Sequence, residues 1–142
     1  MYRKILVTLE NSRTDESIIR HVCELAQKLE SEVLLLHVAD GWVARSYHEL
    51  NLTASPEMRE DYDYLEAVRA RFESHGIVAD TLLLLGEPAD EIIKIARRKD
   101  VDLIAMSTHG HRFISDLIYG STADKVRHLV DIPVLLLKAP SA

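Results

Sequence analysis

The stretch that decides the fold runs from Met106 to Thr122 and reads M-S-T-H-G-H-R-F-I-S-D-L-I-Y-G-S-T. A strand-like run over residues 101–105 precedes it, and an amphipathic run ending near Val130 follows it. Gly110 and Gly120 allow backbone N–H groups to approach a ligand, and a helix N-terminus presents free donors and a positive dipole end. The junction therefore predicts either a phosphate cradle or a loop that turns a strand into a helix and binds nothing.

Working outward, short apolar runs alternate with segments of helical periodicity. Five runs have the character of buried strands, over residues 2–9, 31–38, 77–85, 101–106 and 133–137. Helices are expected over residues 13–30, 57–75 and 117–130, with another beginning at 86–88. Ser12 with Asp15 approximates a capping box, and Gly76 is expected to cap the second helix. The pattern predicts one α/β domain over residues 1–142: a single Rossmann-like, open, five-stranded parallel sheet with four helices on both faces.

Composition excludes several classes of function. The 142 residues are 47% hydrophobic and 28% charged, and the net charge of −6 comes without a basic block, which disfavours nucleic-acid binding. No apolar run reaches about 18 residues and no secretory signal is recognisable, so we expect neither a membrane span nor export. The single cysteine, Cys23, falls within a predicted helix and is expected to be a buried, inert thiol. These features favour a cytoplasmic protein.

Residues from Asp40 to Pro56 follow neither period and include the only tryptophan, Trp42. The segment is too long for a routine connection, which predicts a mobile lid or a packing flap.

In open α/β sheets, ligands bind at the carboxyl ends of the strands, where the strand order reverses. If the first and fourth strands are neighbours, Glu10 faces the glycine loop across a crevice. Val38 and Met106 could then flank a flat ring, while Glu10 accepts hydrogen bonds from a base or sugar. The alternative for Glu10 is an exposed turn acid near a helix N-terminus.

The same residues resemble a known family. S-T-H-G, nine residues, then G-S-T is similar to the G-x-x-G, nine residues, G-[ST] signature with which universal stress proteins contact the ribose and phosphates of ATP. The resemblance covers the whole chain, since K-I-L-V-T-L-E-N-S, L-L-L-H-V, L-L-G-E-P-A-D-E-I and D-I-P-V-L-L-L look like other segments of the family in the correct order.

The resemblance implies that Glu10 and Val38 meet adenine, and that Gly110 and the run from Gly120 to Thr122 meet the ribose and phosphates. Ser107 replaces the first glycine of the signature and could crowd the ribose if that position needs a positive φ. Glu10 replaces the usual aspartate. The expected cofactor is ATP or another adenine nucleotide, with any Mg²⁺ held by the phosphates. The expected contacts are Thr8, which stands where proline is frequent in the family, Glu10, Val38, Met106, Ser107, Gly110, His111, Arg112, Gly120, Ser121 and Thr122.

Catalysis is not expected beyond slow hydrolysis or autophosphorylation, because no general base or acid pair for a metal is evident. Thr108 to His111 also reads as T-x-G-H, resembling the nucleotidyltransferase motif, but that motif belongs after the first strand rather than the fourth. His111 and Arg112 could instead touch outer phosphates or be solvated. His109 and His111 lack the further ligands of a zinc site, and Asp116 is explained as an acid in the first turn of a helix.

The last strand, Val134 to Leu137, is almost wholly apolar and would need covering at a sheet edge. The family covers it with a second copy, which implies a homodimer. The resemblance therefore implies an adenine-nucleotide-binding regulatory stress-response factor, and the alternative is a nucleotide-independent dimeric stress-response interaction module.

Overall fold

Five parallel strands form one open sheet. A computed structural model describes residues 1–39, 56–109 and 114–139, with side chains for 1–39, 58–108 and 121–139. The strands are β1 (Lys4–Thr8), β2 (Glu32–Ala39), β3 (Ala79–Leu85), β4 (Leu103–His109) and β5 (Val134–Ala139). The helices of the described residues are α1 (Asp15–Leu29), α2 (Pro56–Glu73), α3 (Pro88–Arg98) and α4 (Ile114–Leu129). The strand order is β3-β2-β1-β4-β5, which confirms the predicted fold class.

The two faces of the sheet carry different helices because side chains alternate along each strand. Ile5 and Val7 of β1 lie in a core with residues of α1 and α2, whereas Leu6 lies in a core with residues of α3 and α4. All three side chains are fully buried. Burial on both faces explains why β1 reads as a continuous apolar run rather than an alternating one.

Two helix ends agree with the capping chemistry of the sequence. Gly76 has φ +77° in the turn after α2, as expected for a cap, and its amide donates to the Glu73 carbonyl. Glu87 caps α3, accepting from the Asp90 amide at 2.8 Å, and Pro88 opens the helix.

Three boundaries differ from the sequence prediction in a way that affects the site. Strand β4 continues to His109, three residues beyond the predicted end, because its pairing with β5 extends that far. Helix α4 begins at Ile114, three residues before the predicted start. The predicted flap lies at residues 40–55, outside the described residues, and Pro56 belongs to α2.

Strand β5 is an edge strand, as the sequence analysis supposed. Leu136 is 38% exposed, and the neighbouring Leu135 and Leu137 are partly buried. Across the described residues, we find no helix that is both long and apolar enough to traverse a membrane.

Candidate functional site

The strand order reverses between β1 and β4, which creates a crevice at their carboxyl ends. The two strands pair directly, with Val7 opposite Ala105, so the residues that follow each strand emerge side by side. β1 leads into the loop that carries Glu10, and β4 leads toward Gly110. The sequence condition for a shared site, that the first and fourth strands are neighbours, is met.

Two buried hydroxyl groups lie at this end of the sheet. Thr8 is 4% exposed and Ser107 is 2% exposed, and neither Thr8 Oγ1 nor Ser107 Oγ has a hydrogen-bond partner among the described residues. Alternation along the strands directs Thr8 toward the α3–α4 face and Ser107 toward the α1–α2 face. A buried polar group without a partner is costly, so each hydroxyl could accept a polar partner on its own side of the sheet.

Ser107 does not need a left-handed backbone. It lies within β4, paired with Leu137 of β5, and is not among the residues of positive φ. The concern that a serine here would strain the loop is therefore removed, because extended backbone accepts any side chain.

Glu10, Val38 and Met106 reach the crevice to different extents. Glu10 is half-buried directly after β1, and its Oε2 accepts a hydrogen bond of 2.8 Å from the Thr14 hydroxyl. Val38, near the end of β2, is partly buried against the α3–α4 core. Met106 is fully buried within that core. Glu10 and Val38 can line the crevice, whereas Met106 packs in the core beside it.

The second half of the signature lies inside a helix. Gly110, His111 and Arg112 lie outside the described residues. Gly120, Ser121 and Thr122 were expected near the start of the last helix, but α4 begins at Ile114 and includes all three. Only the first four amides of a helix are free of intrahelical partners, so the amides of these three do not form the helix N-terminus. Ser121 is exposed and Thr122 is 4% exposed, so Ser121 is the better placed of the two for a ligand.

Asp15 was predicted to be a capping residue. In the structure its side chain accepts hydrogen bonds from the backbone of the loop between β1 and α1. It is 1% exposed, and its carboxylate accepts hydrogen bonds from the Glu10 amide at 3.0 Å and the Asn11 amide at 2.9 Å. The predicted capping box forms only in part: the Ser12 amide donates to Asp15 Oδ2 at 3.5 Å, but Thr14 is the N-cap and makes no side-chain cap bond. The Asp15 carboxylate lies closer to the two amides that precede Ser12, those of Glu10 and Asn11, than to the Ser12 amide.

Tyr64 of α2 completes the surroundings of Asp15. Its hydroxyl donates to Asp15 Oδ2 at 2.6 Å, a charge-assisted hydrogen bond. Burial raises the pKa of Tyr64 well above its usual range, and the hydrogen bond to Asp15 raises it further. The raised pKa keeps the phenol protonated near neutral pH, where it donates to Asp15.

A second contact between α2 and the same loop passes through Asp61. Asp61 accepts from Asn11 Nδ2 at 2.8 Å and lies 3.4 Å from His37 Nε2. The other ring nitrogen of His37 is 2.7 Å from the Leu9 carbonyl, and because a carbonyl only accepts, that nitrogen carries a proton and donates. His37 thus holds the end of β1 in place.

Sequence reasoning missed the roles of Tyr64, Asp61 and His37. For His37 a signal existed, since a histidine in an otherwise apolar strand needs polar partners. Tyr64 and Asp61 lie on an amphipathic helix about 50 positions from their partners, and no local pattern marks them.

Metal and thiol chemistry find no support in the described part of the chain. It holds no group of three or more His, Cys, Asp or Glu side chains suited to a metal ion. Cys23 is partly buried rather than fully buried, and burial raises the pKa of its thiol, which disfavours the reactive thiolate. Thr108 and His109 are the last two residues of β4, so the T-x-G-H residues begin within the fourth strand rather than after it.

These features define a class: a Rossmann-like α/β protein with a crevice between β1 and β4. A model of the universal stress protein family matches residues 1–138. The chain belongs to the universal stress protein family.

Relatives of similar length agree with this assignment. Universal stress protein MJ0531 of Methanocaldococcus jannaschii is 30% identical, over 99% of this chain and 84% of its own length. The solved structure of MJ0577 superposes with a TM-score of 0.85 at 31% identity, covering 100% of this chain and 99% of that one. A universal stress protein from Archaeoglobus fulgidus, solved in complex with dAMP, has a TM-score of 0.71 at 23% identity, covering 96% and 98%, and shares the fold.

Proposed function

We propose that this chain binds an adenine nucleotide in the crevice between β1 and β4 and acts as a regulatory factor in a stress response. The observation that carries the proposal is the reversal of strand order between β1 and β4. Two buried hydroxyl groups without a partner among the described residues, Thr8 Oγ1 and Ser107 Oγ, lie at the carboxyl ends of these strands, one toward each face of the sheet. A nucleotide offers ring, ribose and phosphate acceptors that would satisfy such donors. The dAMP complex of the Archaeoglobus fulgidus protein supports the proposal by indicating that this fold accommodates an adenine nucleotide.

Electrostatics favours one orientation of the nucleotide. The amides of Glu10 and Asn11 already donate to Asp15, so this loop has few donors left for a phosphate. Glu10 and Asp15 also add negative charge beside it, which repels an anion. The adenosine end therefore belongs beside Glu10 and Val38. The phosphates belong beside the segment from Gly110 to Thr122, with His111 and Arg112 available for their outer oxygens and any Mg²⁺ held by the phosphates.

We do not assign a catalytic step. The described residues hold no carboxylate cluster suited to a metal ion, and nucleotide binding by itself can regulate partners through a change in stability or shape. Nucleotidyl transfer would require pyrophosphate release that disappears in His109→Ala and His111→Ala.

The first experiment is a thermal melt of nucleotide-stripped protein with and without millimolar Mg-ATP, with Mg-GTP as the control. A ligand at about 100 times its dissociation constant adds roughly 2.7 kcal/mol to the free energy of unfolding. For a chain of this size we expect the midpoint to rise by about 5–10 °C with ATP and not with GTP. No rise on protein confirmed empty would contradict the proposal and favour the nucleotide-independent module.

Gly120→Ala separates ligand binding from folding. Because Gly120 lies within α4, alanine should stabilise the free protein by roughly 0.8–1 kcal/mol. If a phosphate approaches this backbone closely, the added Cβ should abolish most of the ATP-induced rise. A higher midpoint without ATP together with a smaller response to ATP is the expected result. An unchanged response to ATP would remove Gly120 from the site.

We also propose that the chain forms a homodimer through β5. The support is an apolar edge strand, Val134 to Leu137, with Leu136 38% exposed. Leu136→Lys should shift the protein from dimer to monomer in sedimentation velocity, because the interface would bury an unpaired charge. The matched control is Val78→Lys, which introduces the same charge on an exposed residue beside the opposite edge strand, β3. A wild-type protein that sediments as a monomer at tens of micromolar would contradict the dimer.

The cytoplasmic location suggested by the single cysteine stays a prediction.

A further inference from the structure

The loop that carries Glu10 is held by α2, a helix far away along the chain. Tyr64 donates to the Asp15 carboxylate at 2.6 Å, and that carboxylate in turn accepts from the Glu10 amide at 3.0 Å. A chain of two hydrogen bonds therefore connects α2 to the backbone of Glu10. Asp15 is 1% exposed, so water does not compete freely for these bonds.

The same network holds the loop conformation. Asn11, the residue after Glu10, has φ +63°, a left-handed conformation that asparagine adopts more readily than most non-glycine residues. Its amide donates to Asp15 and its side-chain amide donates to Asp61, so both contacts that hold it come from α2 or from the carboxylate that α2 supports. A residue in a sparsely populated conformation persists only where its surroundings determine it.

The side chain of Glu10 is directed as well as its backbone. Glu10 Oε2 accepts from Thr14 Oγ1 at 2.8 Å, and Thr14 Oγ1 lies 2.6 Å from Ser12 Oγ. Thr14 and Asp15 are adjacent at the start of α1, so one short segment orients both ends of Glu10. This arrangement limits the rotamers of Glu10 before a ligand binds, so less side-chain entropy is lost on binding.

We infer that Asp15 and Tyr64 are positioning residues that hold Glu10 in the conformation that recognises the nucleoside end of the nucleotide. This inference rests on the proposed function and adds a determinant that lies on α2, outside the signature. Neither residue needs to contact the ligand. Loss of the Tyr64 hydroxyl should therefore weaken binding only to the extent that Glu10 contributes to it.

A double-mutant cycle measures that dependence. Tyr64→Phe removes one O–H and keeps the ring, and Glu10→Gln removes the charge that the ligand meets. We expect each single variant to raise the dissociation constants of adenosine and of Mg-ATP about tenfold, in equal proportion because the phosphates are unaffected. We expect the double variant to bind no more weakly than Glu10→Gln alone.

The matched control is Tyr62→Phe, which removes a hydroxyl from an exposed residue of the same helix that donates to Glu66 at 3.3 Å. Its dissociation constants should equal those of the wild type. Titration calorimetry is run at a temperature at which circular dichroism shows every variant folded, so that unfolding does not imitate weaker binding.

The outcomes distinguish failure of the positioning role from failure of nucleotide binding. Wild-type affinity in Tyr64→Phe, or losses for Tyr64→Phe and Glu10→Gln that multiply in the double variant, would overturn the positioning role while leaving nucleotide binding intact. A wild-type protein that binds neither adenosine nor Mg-ATP would refute the proposed function itself, and the positioning role with it.

Discussion

Replacing Asp15 by alanine is expected to lower the free energy of unfolding by about 3 kcal/mol or more, because several buried donors lose a charged acceptor together. The carboxylate accepts from the amides of Glu10 and Asn11 and from the hydroxyl of Tyr64, and it is 1% exposed. Urea denaturation followed by circular dichroism measures the change. Asp15→Asn should fall between alanine and the wild type, since its amide oxygen still accepts but its charge is gone.

The control for this prediction is the next residue along the chain. Glu16 is an exposed acid whose carboxylate forms a two-point contact with Arg71, at 2.6 and 2.9 Å. Exposed ion pairs are worth about 0–1 kcal/mol, so Glu16→Ala should lower the free energy of unfolding by no more than that. Equal losses in the two variants would mean that the loop amides find water when Asp15 is removed, and that the buried network is not a major source of stability.

Replacing Phe72 by alanine is expected to lower the free energy of unfolding by about 3–5 kcal/mol. Phe72 is fully buried in the core between the sheet and helices α1 and α2, and alanine would leave a cavity that the neighbouring strands cannot close. For a domain whose total stability is about 5–15 kcal/mol, this is a large fraction. Chemical denaturation of the purified variant measures it.

Tyr62→Ala is the matched control for Phe72, since it truncates an aromatic residue of the same helix that is 50% exposed. Its effect should stay near 0.5 kcal/mol, in the range of ordinary surface substitutions. If Phe72→Ala cost less than about 1 kcal/mol, the packing of α2 against the sheet would have to be much looser than described. The support that Tyr64 lends to the crevice would then be in doubt as well.

The alternation of strands and helices was predictable from the chain alone. The buried strands are apolar on both faces and the helices carry one apolar side, and these periods depend only on local geometry. The caps at Gly76 and Glu87 are local for the same reason, because each contact joins residues three positions apart. The end of β4 was missed because pairing with β5 on a distant part of the chain determines it, and the start of α4 was placed three residues too late.

The candidate site was predictable only in part. Glu10, Val38 and Ser107 could be named because they stand at strand ends or in a signature, and a parallel sheet brings strand ends together. Their burial and backbone conformation could not be predicted. The sequence left open whether Ser107 needs a positive φ, and the structure has it as an extended residue of β4 with a buried hydroxyl. Met106 was expected beside a ring and is instead fully buried in the core.

The sequence by itself determined the fold class and the family, and it named the edge of the sheet at which ligand binding is proposed, because periodicity, capping and short signatures depend on neighbouring residues. Only the tertiary structure decided what holds that edge in place. Asp15 meets Tyr64 across 49 positions and His37 meets Asp61 across 24, and their contacts arise from the packing of α2 beside α1 and β2. Such contacts depend on where whole helices lie, which no local stretch of sequence specifies.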